Sequence, residues 1–345
     1  MKFKRLISIF LLAALLMPLA ACGEDKPVQK TISAMGASVT VSAYGKSAEA
    51  GAAAAQSVVE AISAMLDPSL ETSAAYALNN ANGQSVVIPG QVADILEAAK
   101  TVYDRTGGAL DLSIKPLLEL WGFDGGRYTK PVGTDIEELR SALCFDEIKL
   151  ENFAATGTYT AQLPAGARLT FAAAARGCAA QYAIEALRQS GVTSGIISMP
   201  GCVQTLGTKP DGSYWNVAIA DPENQSQTIG YLGVGEAAIS TSSIKTDSFE
   251  YSDGILYHHL IDPSTGRPAD TDLKSVTVIA ENGVDADCLS TALCIIGSKK
   301  ALKYWRDYGG FSLMMVTNDN RILCTSGLIE AFTLESGDYT LEFVE

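Results

Sequence analysis

Helical and strand-like hydrophobic patterns follow one another along this 345-residue chain without the regular strand–helix–strand rhythm that a parallel sheet requires. Residues 48–65 are alanine-rich, with Val58, Ile62 and Leu66 at helical spacing, which predicts a buried helix. Residues 91–105 form a second helical run, closed by Gly107-Gly108. Thr134-Asp135-Ile136-Glu137 has the form of a capping box opening a short helix to Leu143. Helical runs also cover 176–189, ended by Gly191, and then 286–296 and 299–308. Alternating or apolar strand runs cover 194–199, 215–220, 256–261, 275–280, 312–317 and 321–324. Lys209-Pro210-Asp211-Gly212 and Asn318-Asp319-Asn320 supply turn chemistry between strands. The mixture predicts an α+β fold with largely antiparallel sheets and packed helices.

With 47% hydrophobic and 19% charged residues the chain can bury a substantial core. Its net charge of −14 argues against nucleic acid as a partner and against adhesion to anionic lipid through the protein surface. The N-terminus offers another route to a membrane. Lys2, Lys4 and Arg5 precede an apolar run over 6–17 that is too short for a comfortable span. Leu19-Ala20-Ala21-Cys22 then has the form of a lipobox. This predicts a lipoprotein signal peptide over 1–21, a lipid on the Cys22 thiol, a polar tether over 22–30 and one domain over 31–345. The mature protein would then sit on the extracytoplasmic face of a bacterial cell membrane. A plain secretory signal with an incidental cysteine is the competing reading. The other six cysteines show no C-x-x-C spacing, so zinc is not expected and most are expected to be unpaired, Cys288 and Cys294 as small core residues.

Three segments carry chemistry. Tyr257-His258-His259-Leu260-Ile261-Asp262-Pro263-Ser264-Thr265-Gly266 holds the chain's only two histidines. As a strand it would turn one inward and one outward before a polar turn. In Asp285-Ala286-Asp287-Cys288-Leu289-Ser290-Thr291, Asp287 and Thr291 share a helical face, and a carboxylate with a hydroxyl suits Mg²⁺. Ordinary helix capping by Asp285 or Asp287 explains that segment equally well when it is taken alone. Gly108-Ala109-Leu110-Asp111-Leu112-Ser113 forms an Asp-x-Ser turn leading to Trp121-Gly122-Phe123.

In this order the segments resemble the FAD:protein FMN transferase (ApbE) family, from about Met35 to Thr325. His258-His259 with Asp262-Pro263-Ser264-Thr265-Gly266 is the most specific match. Met35-Gly36-Ala37, Glu71, Asn79, Leu206-Gly207-Thr208, Trp215, Asp221-Pro222 and Thr241-Ser242 agree as well. The resemblance implies an ApbE/T-fold-like architecture and Mg²⁺-dependent transfer of FMN from FAD, the substrate, to a threonine of an exported or membrane redox acceptor, with release of AMP. It implies Mg²⁺ held by Asp287, Thr291 and the Ala175 carbonyl, and His259 as base with Arg176 offsetting charge. FAD contacts would come from Met35, Glu71, Asp111, Ser242, His259, Asp262 and Thr265; a core role for Met35 stays open.

The sequence departs from the family where glycines usually approach the nucleotide. Ala172, Ala173, Pro200 and Ser243 stand at such positions, and Arg176 stands in place of a lysine. Added methyls and a lost amide lead us to expect weaker FAD binding. A non-catalytic flavin- or partner-binding lipoprotein, and an FAD pyrophosphatase in which water replaces the acceptor, are the alternatives.

Overall fold

The computed structural model describes residues 26–125, 127–153 and 157–345, so the signal segment and Cys22 lie outside the described residues. Among the described residues, nine strands form the central sheet, in the spatial order Val28–Ala34, Ala37–Ala43, Gly195–Met199, Cys202–Leu206, Ala238–Ser243, Leu273–Ala280, Ser312–Thr317, Arg321–Thr325 and Thr340–Val344. Every neighbouring pair is antiparallel except the last, Arg321–Thr325 with Thr340–Val344. The first strand takes up the last three residues of the expected tether.

Alternation along the strands sends side chains to two different layers. In Ser312–Thr317, Leu313 and Met315 join the core beneath the helices, whereas Met314 and Val316 face a three-stranded sheet made of Trp215–Ala220, Thr228–Val234 and Phe332–Leu334. The helical layer holds Ala48–Leu66, Gly90–Thr106, Ala175–Gln189 and Gly283–Ile296. Gly107 ends the second of these at φ +69°, a left-handed stop that favours glycine. The six cysteines beyond the tether are buried and none is bonded to another.

Two local expectations change. The Gly133–Ser141 helix starts one residue before Thr134, with Val132 at its cap and no side-chain cap bond. Glu137 pairs with Arg140 rather than closing a capping box. The run over 256–261 is not one strand either. It breaks into Leu256–His258 and Ile261–Asp262 because the His259 and Ile261 amides turn to the carbonyls of Asp247 and His259.

Candidate active site

A cavity of 590 Å³ opens where the central sheet, the N-terminus of Ala175–Gln189 and the Gly283–Ile296 helix meet. Arg176, Asp111, Ser242, His259, Asp287 and Thr291 all line it.

Asp287 is 8% exposed. One carboxylate oxygen accepts from Ser240 Oγ at 2.6 Å, the other from the Gly177 amide at 2.9 Å in the first turn of the neighbouring helix. Asn282, not Asp285 or Asp287, caps the helix on which Asp287 sits. Burial pushes the Asp287 carboxyl above its ordinary range, opposed by the Arg176 charge and the two hydrogen bonds. No ion pair engages Asp287 among the described residues. A hydroxyl chain continues from it: Ser240 lies 3.5 Å from Ser290, Ser290 2.9 Å from Ser242, and Ser242 3.1 Å from Thr291. Ser240 and Ser242 are two apart on a strand, and Asp287, Ser290 and Thr291 are three and four apart on a helix. The two faces therefore meet as a pocket of hard oxygens. A buried carboxylate without a cation partner, beside hydroxyls, is a donor set that fits Mg²⁺.

His259 is held by one carbonyl. Its amide donates to Asp247 O at 3.0 Å and its Nδ1 lies 3.2 Å from the same oxygen. A carbonyl only accepts, so the neutral ring carries its proton on Nδ1 and leaves Nε2 as an acceptor. Burial lowers the affinity of His259 for a second proton, partly offset by the Asp247 carboxylate and reinforced by Arg176. The ring is thus neutral and basic at Nε2 near neutral pH. The adjacent His258 is 5% exposed, whereas His259 is half-buried at the cavity wall.

Among the described residues that line the cavity, Arg176 is the only cation. Its Nη1 donates to the Pro200 carbonyl at 2.6 Å. Pro200 and Gly201 form the two-residue turn between Gly195–Met199 and Cys202–Leu206, with Gly201 at φ +75°. Ala172 and Ala173 form part of the wall beside Arg176, and Ser243 lines it with its Oγ taken by the Lys245 amide.

The other expected residues, Asp111 apart, lie outside the cavity lining. Asp111 lines it, with one carboxylate oxygen used as a local cap, accepting from Ser113 N at 2.7 Å and Oγ at 2.6 Å. Asp262 accepts from the Ser264 amide at 2.8 Å, and Thr265 Oγ1 accepts from the Arg267 amide, so both build the turn rather than face the cavity. Met35 occupies the hairpin turn at φ +52° and packs on the core, with its amide bonded to Ser63. Glu71 is exposed. Ala175 opens its helix next to Arg176 but is not in the lining. Sequence reasoning missed Ser240, Ser290 and Asp247. The first two were readable from strand and helix spacing; nothing in sequence announces the Asp247 carbonyl.

A model of the ApbE family matches residues 35–315. The chain belongs to the ApbE family. A Treponema pallidum protein named FAD:protein FMN transferase is 29% identical over 290 residues, covering 81% of this chain and 80% of that one. The ApbE protein of Thermotoga maritima superposes with a TM-score of 0.78 at 26% identity, covering 88% of this chain and 98% of its own. The apo form of the Pseudomonas stutzeri flavinyl transferase ApbE gives 0.77 at 27% identity, covering 90% and 98%. The ApbE family thus accounts for the α+β architecture, with its antiparallel sheet and packed helices, and makes the chain a transferase.

Proposed function

We propose that this chain transfers the FMN half of FAD to a threonine hydroxyl of an exported or membrane redox protein, with release of AMP. The observation that carries this reading is the convergence of His259, Arg176 and the buried Asp287 carboxyl on one cavity. The acceptor oxygen attacks the FMN-side phosphorus, the bond from that phosphorus to the AMP phosphate breaks, and the hydroxyl proton passes to His259. Arg176, at the N-terminus of a 15-residue helix, offsets charge on the phosphates. Asp287 and Thr291, with the Ala175 carbonyl, would hold Mg²⁺, which when bound neutralises pyrophosphate charge as a Lewis acid. Ala172 and Ala173 in the wall support a weaker FAD complex than their glycine counterparts would give. We place the mature protein on the outer face of the membrane through a lipid on Cys22.

The test is calorimetry of FAD binding with and without Mg²⁺, followed by AMP release in the presence of a threonine acceptor. Asp287→Asn keeps partners for Ser240 and Gly177 while removing the charge. It should lower AMP release by on the order of a hundredfold with its melting transition retained. A native chain that binds no FAD with Mg²⁺ present overturns the reading.

A further inference from the structure

The transfer chemistry needs a second protein at the cavity, and one edge of the cavity carries an ordered aromatic rim. Trp121 stacks on Tyr257 at 5.3 Å, Tyr257 on Phe249 at 5.5 Å, and Phe249 on Tyr128 at 5.0 Å and 10°. Phe123 touches both Tyr128 and Phe249 at 5.7 Å and itself lines the cavity. The inner end is anchored, since Trp121 is fully buried and donates its indole N–H to the Gly266 carbonyl at 2.9 Å. The outer end is open: Tyr128 is 46% exposed, Tyr251 43% and Ile255 53%.

Rings held in place by one another lose little freedom on binding, which is why such side chains serve as anchors in protein interfaces. This row is also joined to the reacting groups. Tyr128 Oη donates to the Asp247 carboxylate at 2.7 Å, and the Asp247 carbonyl is the group that holds His259. A chain seated on Tyr128 is therefore beside the base.

We propose that this rim is the docking surface for the acceptor protein, and that it takes an extended segment whose residues beside the reactive hydroxyl are apolar. The inference rests on the transferase reading. The choice of apolar flanks follows from how the rim's polar groups are used. Lys130 lies over the Tyr251 and Tyr257 rings and pairs with Asp253 at 2.5 Å, and the Tyr128 phenol is taken by Asp247. What the rim leaves open to a partner is mostly ring face and the Ile255 side chain, with the Tyr251 hydroxyl at its outer end.

Two fluorescein-labelled peptides with a central threonine, one flanked by leucine and alanine and one by aspartate, would be titrated by anisotropy into the full mature chain. Calorimetry would report FAD binding separately. The apolar peptide should bind at least tenfold more tightly than the acidic one. Tyr251→Ser with Ile255→Ser should remove at least tenfold of that affinity, Tyr251→Phe should keep it, and FAD binding should be the same in all three. Equal binding of the two peptides, no binding of either, or an unchanged double variant overturns the proposal. So does a double variant that instead abolishes self-association in sedimentation or binding to phosphatidylglycerol vesicles, because the rim would then belong to a second copy or to lipid. A native chain that binds no FAD yet discriminates the two peptides strikes the transferase reading and with it the assignment of the rim to an acceptor, while the rim's preference for an apolar peptide stands.

Discussion

Gly177→Ala tests whether the site depends on two helices touching backbone to backbone. A Cβ at 177 would stand 2.0 Å from the Gly283 carbonyl oxygen, 2.6 Å from its carbon and 2.8 Å from Asp287 Cβ. From the other side, a Cβ at 283 would stand 2.4 Å from the Gly177 oxygen. An ordinary C···O approach is about 3.3 Å, so the helices must part by about an ångström, and backbone atoms cannot rotate aside. Overpacking of this kind costs about 1–3 kcal/mol. Parting the helices also stretches the 2.9 Å bond from the Gly177 amide to Asp287, a hydrogen bond to a charged group, which is worth about 1.5–3 kcal/mol. The two effects overlap, so we expect a loss of about 2–5 kcal/mol, a large share of a typical domain's stability. Urea unfolding at constant slope measures it, and calorimetry should show weakened FAD binding because Arg176 and Asp287 move with the helices. Gly90→Ala, where nothing lies within 4 Å, is the control and should be near neutral. A Gly177→Ala protein with the native urea midpoint and native FAD affinity refutes the argument.

Three other outcomes are expected. His258 is buried, its Nδ1 has no partner, and burial lowers its pKa from 6.5 to about 4. Below pH 6.5 the unfolded chain takes a proton that the fold refuses, so stability falls between pH 6.5 and 4, by about 3 kcal/mol from this group. His258→Gln should flatten that slope in urea unfolding at three pH values, and an unchanged slope counts against it. Ala172→Gly with Ala173→Gly should tighten FAD binding by about tenfold, as one recovered contact would; unchanged affinity would show that these walls already suit the nucleotide. Cys22→Ser should move the protein from the membrane fraction to the soluble one, and unchanged retention with a cleaved, unlipidated N-terminus excludes the anchor.

The long helices and the later sheet strands were legible because their periodicity is strong and their ends carry glycine or turn chemistry, as at Gly107 and Gly191. The two N-terminal strands were not. Val28–Ala34 pairs residue by residue with Ala37–Ala43, yet it is mostly polar and lies at the sheet edge, where one face stays wet. Cys202–Leu206 and Ala238–Ser243 were also missed. Buried Gln204, Thr205 and Ser240 break the apolar pattern there, and the Thr205 and Ser240 hydroxyls bond within the fold instead of facing water. At the site, Asp287, Thr291 and His259, singled out by side-chain chemistry, all line the cavity. The carbonyls that orient Arg176 and His259 come from Pro200 and Asp247, and a backbone oxygen has no signature in sequence.

The departures from the family pattern also look different in three dimensions. In sequence, Pro200 reads as a lost amide. In the fold it stands in a tight turn ahead of a glycine at φ +75°, where its fixed φ suits the first central position and no amide is needed for the sheet ladder. Its carbonyl takes one N–H of Arg176. An arginine can give one donor to that carbonyl and keep the rest of its fork toward the cavity. A lysine bound there would hold its compact charge at the carbonyl and offer no planar fork to the cavity. Pro200 and Arg176 therefore act as a pair, a rigid turn that fixes a guanidinium at the mouth of the helix. The alanines at 172 and 173 have no such partner, so a loss in nucleotide binding is expected from them rather than from the turn.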